Sequence, residues 1–223
     1  MPNWCSTTMF FYSKNEEKLV DFKNKLTDVY NSGETIRNDF GNGWLGDFVN
    51  TLLAPEFNTE IENSPRCRGS ITDPPDWEIY ETSSYSYFCF NTETAWAPMV
   101  KMWWLIIQKH FPDEIYIAYT AEECGWGIYV NYDPDNLFYF DKYYLYYCIN
   151  DKYEIEYFSC LEEVVEYIVN IEELKITKEQ LHGKSLEEIN QLTQDIAYSL
   201  GNDNFFNIHE YQTLNFDEAI GEE

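Results

Sequence analysis

Residues 4–13 read WCSTTMFFYS. Ten residues that mix Thr with Trp, Met and Phe suit a pleated, half-buried surface. Chain ends are ordinarily polar and frayed. A strand this apolar so near the start therefore predicts a central place in a sheet covered by helices. The next residues predict such a helix. Ser13 and Glu16 have capping-box spacing, and Leu19, Phe22, Leu26 and Val29 recur at helical intervals.

Outward from this stretch, residues 31–75 carry Gly, Asn and Pro clusters around WLGDFVNTLL and predict an irregular insertion. Residues 76–93, DWEIYETSSYSYFCFNTE, predict two strands with a turn near Thr82–Ser84. TAWAPMVKMWWLIIQKHFP follows at 94–112. Pro98 suits a first helical turn and Pro112 ends it. Trp96, Val100, Trp103 and Ile107 share one face, which Trp104 and Phe111 widen. EIYIAYTAE is the next strand. The order β-α-β-β-α-β is that of a ferredoxin-like α+β domain. Strands in GWGIYVNYD, LFYFDKYYLYYCIN and KYEIEYFS then predict an antiparallel meander extending the same sheet. From residue 159 the chain predicts mostly helix. Ser159–Glu162, Thr177–Gln180 and Ser185–Glu188 are three more capping boxes. The expected organisation is one domain over 1–158 with an acidic helical extension, 159–223, packed on it.

The net charge is −26, and 18 acidic residues against four lysines lie in 151–223. Such a field repels phosphate backbones and anionic lipid, so direct nucleic-acid or membrane binding is not expected. Nineteen Tyr, fifteen Phe and seven Trp speak for an ordered protein, because acidic disordered chains are poor in aromatics. The start has no secretory pattern, and no run approaches a membrane span, so the expected compartment is the cytoplasm. The six cysteines show no CxxC pair and no metal spacing with His110, His182 or His209. They are expected to be small buried hydrophobes.

Three segments carry a resemblance: MPNWC at the start, FCFNTETAWAPM before the long helix, and YTAEECGWGIYV after the next strand. In this order they resemble the YubB-like family of plasmids, phages and integrated elements, over roughly residues 1–132. Thr7 stands where that family usually has Asn, and Ala97-Pro98-Met99 where it favours a double Pro. The resemblance implies a ferredoxin-like domain and a mobile-element setting. It brings no catalytic residues.

Few motifs point to chemistry. GNGWLG at 41–46 fits G-x-G-x-x-G but lacks the preceding hydrophobic strand of a dinucleotide site. The tyrosine run of 138–158 has only Lys142 and Lys152 as basic residues, too few for a base-stacking platform, and reads as a sheet packed on both faces. Asp133 and Asp135 read as a turn without calcium-loop spacing. No catalytic, cofactor-binding or metal-binding residue is assigned. Two candidate sites stand out. SCLEEVVEYIVNIEEL at 159–174 predicts one helix with Glu162, Glu163, Glu166, Glu172 and Glu173 largely outward, where they can imitate a phosphate array. That suits a non-catalytic binder of a basic, nucleic-acid-handling protein. The alternative is a small-molecule sensor or enzyme with a pocket near Trp96, Glu122, Glu123 and Trp126.

Overall fold

The computed structural model describes residues 3–32, 43–53, 68–123, 125 and 127–221. The chain is mixed α and β and divides into two units, 1–135 with 213–223, and 136–212.

In the first unit β1 (Trp4–Ser13) lies between β4 (Ser86–Ala95) and β5 (Tyr116–Glu123), antiparallel to both. Alternation along β1 places Cys5, Thr7, Met9 and Phe11 on one face, all buried. Opposite Phe11 stand Phe88 and Ile117, and opposite Met9 stand Phe90 and Tyr119. Two helices cover this face. Helix α1 (Glu16–Asn31) buries Leu19, Phe22, Leu26 and Val29. Helix α3 (Val100–His110) buries Val100, Trp103 and Ile107. Phe11 meets rings from both, Phe22 at 5.3 Å and Trp103 at 5.9 Å. Strand β1 is thus central, which accounts for the apolar start.

The full order of this sheet is β10-β6-β5-β1-β4-β2, with β3 (Tyr80–Glu81) also on β4. Strand β2 is Gly69–Ile71 and β6 is Ile128–Tyr132. The short β10 (Gln212–Thr213) is followed by α7 (Phe216–Gly221), whose Ala219 joins the first core.

The second unit holds β7 (Tyr143–Ile149) between β8 (Lys152–Phe158) and β9 (Phe205–Glu210). Its core joins Leu145, Tyr147 and Ile149 to Phe206 and Ile208 and to three helices. These are α4 (Leu161–Val169), α5 (Lys178–Leu181) and α6 (Leu186–Leu200).

Several expectations need correction. The 31–75 segment is not wholly irregular. Its described part forms α2 (Leu45–Phe48), a π-helical turn (Val49–Leu53) and β2, and Leu45, Phe48, Leu53 and Ile71 are buried. Of the expected meander only β6 extends the first sheet, and β7 and β8 belong to a separate one. A strand has two edges, and β7 uses both, for β8 and β9, while β6 is occupied by β5 and β10. The contact boundary therefore falls after Asp135 rather than 158, and residues 213–223 return to the first unit. Residues 205–210, expected in a helical tail, are a strand. Two capping boxes differ: Asn15 rather than Ser13 caps α1, and Cys160 precedes α4 without a side-chain cap. The boxes at Thr177 and Ser185 form as expected.

Candidate functional site

Helix α4 presents the acidic series. Val164 and Ile168 turn inward, while Glu162, Glu163 and Glu166 are exposed. After the helix, Glu172 and Glu173 are exposed between buried Ile171 and Leu174. Glu162, Glu163 and Glu166 stand outward on the helix, whereas Glu172 and Glu173, expected on the same helix, follow its end at Val169. The five are not equivalent. The Glu163 carboxylate accepts bonds from the Ser159 N–H and hydroxyl, both 2.9 Å. These bonds hold its carboxyl below the usual range. Glu166 meets Lys178 Nζ at 3.3 Å. Both partners are exposed, and a surface pair of this kind contributes little. Glu162, Glu172 and Glu173 form no ion pair among the described residues. The surface is not uniformly acidic: Lys178, His182 and Lys184 line a groove with Glu162 and Glu166.

The second candidate lies at the Trp4 end of the first sheet. Trp96 has φ 71°, its N–H donates to the Asn3 carbonyl at 2.9 Å, and the Arg68 guanidinium stands 5.7 Å from its ring centre. Asn3 reaches across to Gly125, where a Cβ would fall 2.3 Å from Asn3 Nδ2. A side chain at this position would displace the Asn3 amide. The Gly125 N–H donates to Glu123 Oε1 at 2.8 Å. The structure thus brings Trp96 and Glu123 to one end of the sheet through Asn3 and Gly125. It separates Glu122 from Glu123. Neighbours on a strand face opposite ways, so Glu123 is 3% exposed on the core side while Glu122 is only half-buried. They form no catalytic dyad. Trp126 lies outside the described residues.

Cys5 lies opposite Thr94. Its thiol is pushed up to about 11, first by burial and further by the Glu123 charge, against hydrogen bonds from Thr7 and Thr94. It is a poor nucleophile there, since only the thiolate reacts. Cys89 is raised for the same first reason. Cys5, Cys89, Cys148 and Cys160 are free thiols. Among the described residues no group of His, Cys, Asp and Glu could hold a metal ion.

The tyrosine run divides by parity. Leu145, Tyr147 and Ile149 enter the second core. On the other face Tyr144, Tyr146, Tyr157, Phe205 and His209 form a ring ladder, with His209 and Tyr146 stacked at 5.8 Å. In the G-x-G-x-x-G stretch residues 41 and 42 lie outside the described set. The rest opens a helix of four residues.

Sequence reasoning missed a cavity of about 370 Å³ at the opposite end of the first sheet from Trp96. Strand β6 stops at Tyr132, so the first residues of β5 lack a neighbour on that side. The opening is floored by α3 and bounded by the 133–135 turn and Phe216 of α7. Its residues are scattered through the chain, from Tyr12 to Phe216, and no local motif marks them.

No family model, curated protein or solved structure matches the chain. No helix among the described residues is long and apolar enough to cross a membrane.

Proposed function

We propose that this chain is a non-catalytic, cytoplasmic binding protein of a mobile genetic element, with an acidic surface that meets a basic, nucleic-acid-handling partner as a DNA mimic. Its first unit is read as a ferredoxin-like domain. The order β5-β1-β4-β2, with α1 after β1 and α3 after β4, supports this. Kinship with the YubB-like proteins draws support from position. Asn3, Trp96, Glu123 and Gly125, from the three resembling segments, converge at one end of the sheet.

The observation that carries the function is the exposed series Glu162, Glu163, Glu166, Glu172 and Glu173. Glu162 and Glu166 are one helical turn apart, about 6 Å along the axis. B-DNA carries a charge about every 1.7 Å of axis, so a partner's cations find a sparser but similarly signed row. A low-salt capture from a host lysate tests this. Wild type should retain basic proteins that added DNA displaces. The variant with all five residues changed to Gln should retain few of them while keeping its fold. Retention that DNA does not displace would sink the proposal.

A second reading, a sensor or enzyme at the Trp96 end, is favoured by the left-handed backbone of Trp96, because strain of this kind gathers at functional sites. Loss of the partner on Trp96→Ala, with the glutamates intact, would move the function there.

A further inference from the structure

We propose that the cavity beneath Phe216 is an aromatic cage for a small free organic cation, a tertiary or quaternary ammonium. Five rings line it: Tyr12, Trp104, Tyr116, Tyr132 and Phe216. They form two walls. Tyr12 and Tyr116 pair at 5.5 Å on one side, and Phe216 bridges Trp104 and Tyr132, at 6.0 and 6.5 Å, on the other. The face of an aromatic ring is its negative side, and a cation held over several such faces is bound most strongly where water is excluded.

Three further observations set the sign of the ligand. Asp113 is the one charged side chain among the lining residues, and none of them is basic. The Tyr12 hydroxyl donates to Asp135 Oδ2 at 2.8 Å, and the Tyr116 hydroxyl donates to the Asp113 carbonyl at 3.0 Å. Phenols that donate outward carry more electron density in their rings. The basic residues of α3 that follow Gln108 are held by other groups: Lys109 Nζ donates to the Leu53 carbonyl at 3.0 Å, and His110 Nε2 lies 2.9 Å from the Leu52 carbonyl. The volume suits a compact molecule, since pockets for small ligands begin at roughly 300 Å³. An anion would meet the Asp113 charge, and a neutral apolar ligand would pack on the rings without the electrostatic attraction that a cation gains over their faces.

The occupant is independent of the acidic helix, so the two proposals fail separately. Choline and 3,3-dimethyl-1-butanol have the same shape and differ in charge. Calorimetric titration of the intact chain at moderate salt should show choline binding at least about tenfold tighter than the neutral isostere. Trp104→Leu and Asp113→Asn should each weaken choline about tenfold or more, with melting curves showing the fold retained. The five-glutamate variant should bind choline as wild type does. Equal affinity for the two probes, or no binding of either, would overturn the cage. So would choline binding that disappears in the five-glutamate variant yet survives Trp104→Leu, because that marks diffuse attraction to an acidic surface. A trimethyllysine peptide that binds where free choline does not would overturn the choice of a free small molecule.

Discussion

Trp96 is the residue whose backbone and identity disagree most. Among the described residues, four of the six non-glycine residues with positive φ are Asp or Asn, which tolerate that region. Trp96, at φ 71°, has no such tolerance, and the left-handed region costs an ordinary residue about 1–2 kcal/mol. Trp96→Gly should therefore unfold at higher denaturant than Trp96→Ala, by about 1 kcal/mol, reversing the usual order of the two. Equal midpoints would mean that the position carries no strain. His209 makes a different demand. Burial pushes its imidazole below the ordinary 6.5. The unfolded chain then takes up a proton before the folded one does. Stability should be full above pH 6.5 and decline as the pH falls from there through the lower folded value. Glu163 and Glu188, held down by hydrogen bonds to Ser159 and Ser185, lose their contributions only below their usual 4.5. His209→Gln should flatten the upper limb alone. A wild-type curve level from pH 7 to 5 would contradict this.

Among the elements, β1 organises the first core. Phe11 is fully buried and meets Phe22, Phe88, Phe90 and Trp103 within 6 Å. Phe11→Ala should cost about 3–5 kcal/mol in a denaturant titration. A loss under 1 kcal/mol would mean that the two helices do not depend on this strand. The role of β1 was legible because its alternation and the helix after it obey local rules, and so was the outward row on α4. Other elements depend on distant partners. Ile71 and Leu53 are core residues inside a segment rich in Gly, Asn and Pro, and only their packing shows it. Phe206 and Ile208 alternate as a strand should, but six residues after a helix read easily as a tail. The edges of β7 went unread because its run suits either sheet, and pairing with β9 joins residues about sixty positions apart. Trp96 and Glu123 were legible as a pair of positions. Asn3 and Gly125, which join them, were not, since an amide beside a glycine leaves no periodic mark.

At the scale of the whole molecule the dominant quantity is the net charge of −26. Charge of one sign bears first on solubility and on association rates. It becomes a function only where a partner reads it at particular carboxylates. The account assigns that reading to Glu162, Glu163, Glu166, Glu172 and Glu173, of which Lys178 already engages Glu166. The interaction should act over about 8–10 Å and weaken steeply as salt screens it. The decisive measurement is the association constant of the intact chain for its captured basic partner, taken over a series of salt concentrations. For wild type the logarithm should fall linearly and steeply with the logarithm of salt, and the five-glutamate variant should be weaker at low salt and follow a visibly shallower line. A constant indifferent to salt, or two superimposable lines, would contradict the account.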